Sequence, residues 1–256
     1  MLTDAQWAML EPLVEQCRPK GKTPPHDLRR TLDAILWRHE NGAKWRAVLT
    51  ELGPWWRAAS DLHPLGSPGC LGTPAQPGAG ARDPARNDVP RRHQRAGSSE
   101  GRPSAPKRGS QAQRDDREAL GRSRGGYCTK ACVIADSRGR AIAFRIAPGQ
   151  AHELPDAIPL LDSLPGVPTW VVADRGYSSH SFREHIWSIG AKPAIPAKSN
   201  EAPVACPDWI YNNRNVVERL WARLKEWRAV ATRYEKTASS FMGVLCLAAA
   251  IDWLKH

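Results

Sequence analysis

Fifty consecutive residues in the middle of this chain, Asp61–Ser110, cannot build a core. They read DLHPLGSPGCLGTPAQPGAGARDPARNDVPRRHQRAGSSEGRPSAPKRGS, rich in Pro, Gly, Ser and Arg and nearly free of large apolar residues. The tract shows neither the 3.6-residue period of a helix nor the alternation of a strand, so it reads as an irregular, disordered basic segment. A structureless insert of that length inside a compact domain is itself anomalous. It leaves two blocks, 1–60 and 111–256, to supply whatever core the 256 residues possess.

The leading block is helical. Thr3 or Asp4 caps a first helix through DAQWAMLEPLVEQC, which PKGKTPP ends. A second helix runs from about His26 to Asn41; Leu28, Leu32, Ile35 and Leu36 recur on one face, and Gly42 follows as a stop. AKWRAVLTEL reads as a third short helix before GPWW. Such a unit fits a helix-turn-helix-like DNA reader, and equally any other three-helix module.

The trailing block alternates. Tyr127–Asp136 and Ala141–Ala147 are strand-like runs flanking SRGR, which reads as a hairpin. HELPDAIPLLDSL is helical, TWVVAD is a strand, SHSFREHIWSIG is a helix closed by Gly190, and KPAIPA is a short strand. NNRNVVERLWARLKEWRAVATRY predicts one long helix, with Val217, Leu220, Trp221 and Leu224 on one face. ASSFMGVLCLAAAIDWL predicts a last, buried helix. A hairpin followed by alternating helices and strands implies an α/β domain with a mixed sheet.

A net charge of +11, from 37 Lys+Arg against 26 Asp+Glu, favours a polyanionic partner such as nucleic acid, or marks a merely basic protein. The six cysteines show no C-x-x-C spacing, which argues against a zinc site and a disulfide framework. The N-terminus shows no basic leader, and no run, FMGVLCLAAAIDWL included, reads as reaching the length of a membrane span. The expected setting is reducing and cytoplasmic.

Two motifs carry chemistry. In VVADRGY a run of strand formers ends on Asp174, which is either a cap for the next helix or an acid held at a sheet edge. In YNNRNVVERLWARLK, Tyr211, Arg214, Glu218 and Lys225 are spaced three, four and seven apart. Arg214, Glu218 and Lys225 therefore share one face of a helix, a carboxylate between cations beside the apolar face. An ordinary ladder of surface ion pairs has the same pattern. His152 and Glu153, in GQAHELPD, are a further candidate pair after a strand, or simply a helix N-terminus.

Taken together and in order, Tyr-x2-Arg-x3-Glu-x6-Lys and the strand-ending Asp-Arg-Gly-Tyr resemble the DDE transposases of bacterial insertion sequences. The helical leading unit and ALGRSRGGYCTKACVIAD resemble the family as well, with Cys128 where a glycine is more usual. The resemblance covers Met1–Ser60 and about Arg108–His256. It implies a helical, DNA-binding unit over 1–60 and an RNase H-like catalytic domain over 111–256. It also implies a double-stranded DNA partner, element ends and target, engaged as a homodimer, with no membrane. Strand cleavage and transfer need an activated oxygen nucleophile and a stabilised leaving oxygen, and two Mg²⁺ (or Mn²⁺) ions about 4 Å apart supply both. By the resemblance, Asp174 bridges the metals and Glu218 ligates one of them. Arg175, Arg214 and Lys225 bind DNA, and Tyr211 lines the site.

The family's first Asp lies on a central strand that should precede YCTKACVIAD. Asp83, Asp88, Asp115 and Asp116 are the only candidates, and none follows an apolar run. The first strand is therefore expected to be lost. Codons for Leu62–Arg102 can be chosen so that reading one base later restores a globular sequence. Pro64–Pro74 permits RWARLGVWERL. Val89–Arg102 permits FLDGTSVRAHQKA, a strand ending in Asp-Gly-Thr like the family's first-Asp motif. There the Asp codon straddles Arg91 and Arg92. These features imply compensating frameshifts near Ser60 and near Pro103–Lys107, and a chain without catalysis. Rival readings are a non-catalytic DNA-binding protein acting at element ends, an inhibitor or a degenerate product, and a general RNase H-like nuclease. The gene, read one base later between those two points, is expected to stay open and to encode Leu-Asp-Gly-Thr. A stop codon there, or no such tetrapeptide, ends the frameshift reading.

Overall fold

The computed structural model describes residues 2–17, 27–65, 87–98 and 117–255, with 63–65 and 87–98 as backbone only. The sequence readings that fall on 66–86 and 99–116 lie outside the described residues.

Helix α1 (Asp4–Gln16) opens on a capping box, in which the Thr3 hydroxyl accepts from the Gln6 amide and the Gln6 side chain accepts from the Thr3 amide. Helix α2 (Leu28–Asn41) is capped by Asp27 and closed by Gly42 at φ 61°. A Cβ at Gly42 would meet the Tyr234 hydroxyl at 2.9 Å, so packing as well as the turn demands glycine. The expected third helix is displaced. AKWRAVLTEL makes two 3-10 turns, Trp45–Ala47 and Thr50–Leu52, and α3 is Trp55–Leu65. Gly53, at φ 90°, breaks the chain, and Pro54 suits only the start of a new helix.

The strands are β1 (Asn87–Ser98), β2 (Gly121–Ser123), β3 (Gly126–Ala135), β4 (Ala141–Pro148), β5 (Trp170–Val172), β6 (Lys192–Ala194) and β7 (Thr232–Arg233). Helices α4 (Leu154–Asp162), α5 (His180–Ser188), α6 (Asp208–Tyr211), α7 (Val216–Leu224), α8 (Arg228–Ala231) and α9 (Ala238–Lys255) complete the described residues. The strands form one mixed sheet with path β2-β3-β1-β5-β6; β4 lies beside β3, and β7 beside β1. β1 runs antiparallel to β3 and parallel to β5, and β5 runs parallel to β6.

This corrects the expected loss of the central strand and, over 61–65 and 87–98 alone, the irregular reading of the tract. Residues 61–65 continue α3, and 87–98 fill the middle of the sheet. The cause is backbone pairing. Main-chain groups of β3 and β5 need partners whatever side chains the intervening segment carries. The long predicted helix is also corrected. A helical run passes from α6 through a 3-10 turn, Asn212–Asn215, into α7, and ends at Lys225. Buried Trp227, extended at ψ 114°, breaks it.

Two cores flank the sheet. One joins α1–α3, α7 and α9 to the face carrying Ala131, Val133, Ala135 and Val172. The other joins α4 and α5 to the face carrying Cys132, Ile134, Val171 and Ala173. Contrary to the sequence reading, α9 is long and apolar enough to cross a membrane, and it is the one such helix among the described residues. Most of its residues from Phe241 to Asp252 are buried inside the protein, which accounts for its apolar character.

The leading helices are tied to the trailing block by a buried Arg38–Glu235 ion pair, whose side chains are 5% and 3% exposed. The Arg38 guanidinium also lies 4.3 Å from the Trp45 ring centroid. Next to it, His39 is buried, and among the described residues its Nε2 has no hydrogen-bond partner. Burial, then the Arg38 charge, lowers its pKa to about 3. The folded state thus holds His39 neutral, while the unfolded imidazole protonates near its ordinary value. Stability is complete above pH ~6.5 and falls as the pH drops from there towards 3. Urea unfolding at pH 5 should show about 2 kcal/mol less stability from this group than at pH 7.5. His39→Leu should remove that part of the pH slope.

Candidate active site

β5 delivers Asp174. Val171 and Ala173 pack in one core and Val172 in the other, and Asp174 follows them, extended, just beyond the strand. Beyond Val172 the chain leaves the sheet in a 3-10 turn, Arg175–Tyr177. Asp174 caps this turn, one carboxylate oxygen accepting from the Gly176 amide at 2.8 Å. The capping reading is thus realised, on a half-buried carboxylate at the lip of the sheet. Arg175 and Gly176 are exposed, and Tyr177 turns into the core.

Helix α7 delivers Glu218. Val217, Leu220, Trp221 and Leu224 bury its inner side against the sheet, where it packs on β1 and β3. Arg223 fixes its rotation: Nε and Nη2 bond both oxygens of buried Asp252 on α9 at 2.8 and 3.0 Å. Nη2 also donates to the Gly139 carbonyl in the β3–β4 turn at 2.7 Å. Glu218 is left on the exposed side, in the first turn of α7. Arg214, on the preceding 3-10 turn, stacks 4.6 Å from the Tyr211 ring. Lys225 is the C-cap of α7, half-buried, and desolvation lowers its ammonium pKa.

Asp174 thus sits just beyond the end of β5, and Glu218 lies on the exposed side of α7, with Tyr211, Arg214 and Lys225 on the same helical run. His152 and Glu153 do not join them. Glu153 pairs with Lys130 at 3.4 Å at the start of α4, and His152 is exposed. Of the candidate first acids, Asp88 lies on β1 opposite Val171, three residues short of the level of Asp174. Asp83, Asp115 and Asp116 lie outside the described residues. No group of three or more His, Cys, Asp or Glu among the described residues could hold a metal ion.

Sequence reasoning missed the support behind Asp174. Buried Arg183 of α5 donates from Nη2 to Ser178 Oγ at 2.6 Å and to the Ile195 carbonyl at 3.3 Å, and Nη1 lies 3.5 Å from Glu201 Oε2. Ser178 Oγ also donates to Glu201, and Lys198 Nζ donates to the Ser178 carbonyl at 2.9 Å. The Ser178 hydrogen bond is the main cause that holds the Glu201 carboxyl below the usual range. These groups span 178–201 with no common helical face, so no spacing announces them. They clamp the turn that presents Asp174 to α5 and to the strand end beyond β6.

Two family models described as "Transposase DDE domain" match residues 93–204 and 171–255. A third, "Putative transposase of IS4/5 family", matches residues 2–69. The chain is also similar to a Brucella ovis protein described as "Putative transposase for insertion sequence element IS6501". The two are 34% identical over 129 residues, 50% of this chain and 98% of that protein. The strand-end aspartate and the helix-borne glutamate both lie within the matched residues 171–255. The chain belongs to the DDE transposases of insertion sequences.

Arg183→Leu should cost roughly 2 kcal/mol, the scale of hydrogen bonds to a charged group. Amide exchange at Gly176–Ser178 should accelerate more than at β3. Equal acceleration at both would show that Arg183 does not act on the turn.

Proposed function

We propose that this chain is a transposase that binds the ends of its element but no longer cuts or joins DNA. The single observation that supports this is a half-buried carboxylate, Asp174, at the end of β5, with Glu218 carried by α7, the helix that packs on β1 and β3. In this reading the two carboxylates, with Arg175, Arg214 and Lys225, line the path of a phosphodiester backbone. In this reading the sheet is RNase H-like over 111–256, completed by 87–98. Helices α1–α3 form the DNA-binding unit, and the protein acts as a homodimer in the bacterial cytoplasm. Arg214 and Lys225 hold phosphates, Arg175 reaches the strand at the turn, and Tyr211 orients Arg214 through its ring.

Divalent ions supply this family's chemistry by activating one oxygen and stabilising another. Asp174 and Glu218 are the residues that would hold them. Two carboxylates do not fit a two-ion centre, since hard cations in shared sites need bridging and terminal oxygens together. No catalytic step is therefore assigned to this chain. The reading of a non-catalytic protein that occupies element ends, and so inhibits an active transposase, follows from the same deficit.

A mobility-shift titration with element-end DNA should show binding that weakens with salt, and nicking assays with Mg²⁺ should show no product. Arg214→Gln and Lys225→Gln should each lower the salt slope by about 1. Mg²⁺-dependent nicking by the purified chain would overturn the inactivity. Binding that ignores DNA sequence would overturn end recognition.

A further inference from the structure

We infer that Trp170, Trp209 and Tyr211, with Lys192 and Arg214 beside them, form a binding path for an unpaired DNA strand, its bases stacking on the rings and its phosphates meeting the cations. This deepens the transposase reading above, which supplies DNA as the partner. The path starts from local structure. Ile210 is fully buried and anchors α6, and its neighbour Trp209 is left out in solvent. At 68% Trp209 is the most exposed large apolar side chain among the described residues. A single exposed indole is ordinary. This one has company: its ring stands 6.0 Å from that of Trp170, edge to face at 76°.

Cations lie against the neighbouring rings. Trp170 opens β5, and parallel pairing puts Lys192, the first residue of β6, at its side. Lys192 is exposed, and its Nζ lies 5.5 Å from the Trp170 ring centroid. Two residues beyond Trp209, the Tyr211 ring carries the Arg214 guanidinium at 4.6 Å. Rings and cations therefore succeed one another from β6, the last strand of the sheet path, across β5 and onto the helical run that leads to α7. Trp170 is at the start of β5 and Asp174 just beyond its end, so the rings form a surface separate from the carboxylate.

The combination selects its ligand. Aromatic faces stack bases without regard to sequence, and cations follow the backbone. A closed duplex keeps its base faces covered, so the strand that uses these rings is an unpaired one. Exposed Asp208, next to Trp209, is the one acid on α6, against the positive Lys192 and Arg214. A second copy of the chain fits the rings less well. Each copy carries a net charge of +11, and docking there would bury Lys192 and Arg214 against like charge.

The test is fluorescence anisotropy on the full chain, with a labelled oligothymidylate of about 12 nucleotides beside the element-end duplex. Trp209→Ala should weaken oligothymidylate binding about tenfold, within the range that one stacked base is worth, and Trp209→Phe should keep most of it. Lys192→Gln should lower the salt slope on the single strand by about 0.7. Duplex binding by Trp209→Ala should stay as in the native chain. Unchanged single-strand affinity in Trp209→Ala, or an equal loss on both DNAs, overturns the inference. So does a loss of self-association in Trp209→Ala, measured by sedimentation, with single-strand affinity intact, which would assign the rings to a second copy. Should Trp209→Ala fail to fold, ultraviolet crosslinking of the native chain to an iodouridine-substituted strand decides. Labels on Trp209 or Trp170 uphold the inference, and labels confined to other residues overturn it. Single-strand binding through Trp209 without recognition of the element-end duplex would sink the transposase reading and leave the inference standing. Duplex recognition without single-strand binding would sink the inference alone.

Discussion

Main-chain pairing on both sides of β1 is the constraint on which the rest of this structure depends. β3 lies antiparallel on one side, from Val89 opposite Ala135 to Gly97 opposite Cys128. β5 and β7 lie parallel on the other, at its two ends. An empty slot there would leave buried N–H and C=O groups of two strands unpaired, each at a cost comparable to a lost hydrogen bond. The segment that fills the slot has neither apolar alternation nor a continuous set of donors. Its neighbours recruit it for its backbone. Topology can therefore survive a change of side chains, while chemistry, which needs particular side chains, cannot.

Around that slot the parts that present charge are held by parts that bury it. Arg223 and Asp252 join α7 to α9 and to the β3–β4 turn, so the outward aim of Glu218 follows from a half-buried ion pair about one and a half turns away. Arg233 does similar work at the far end of β1. It donates to the Ala119 carbonyl, to Thr129 and to the Glu235 carbonyl, and burial lowers its pKa to about 10. The Arg38–Glu235 pair then fastens α2 to the same corner. Such pairs are weak arguments for net stability, but removing one partner strands the other in a dry place. They specify how the blocks meet more than how tightly.

The sequence announced what periodicity and punctuation can announce. The β3–β4 hairpin, α4, α5 with its Gly190 stop, and the capping box of α1 lie where local residues put them. Asp174 at a strand end and Glu218 on a helix were also readable, because each sits beside an apolar run whose period fixes its face. Three things were not. β1 carries no period of its own, so only its neighbours identify it. The break at Trp227 is a tertiary event, since burying an indole outweighs continuing a helix whose local residues would allow it. The Arg183–Ser178–Glu201 clamp joins a turn, a helix and a loop, and no spacing along the chain encodes such a meeting.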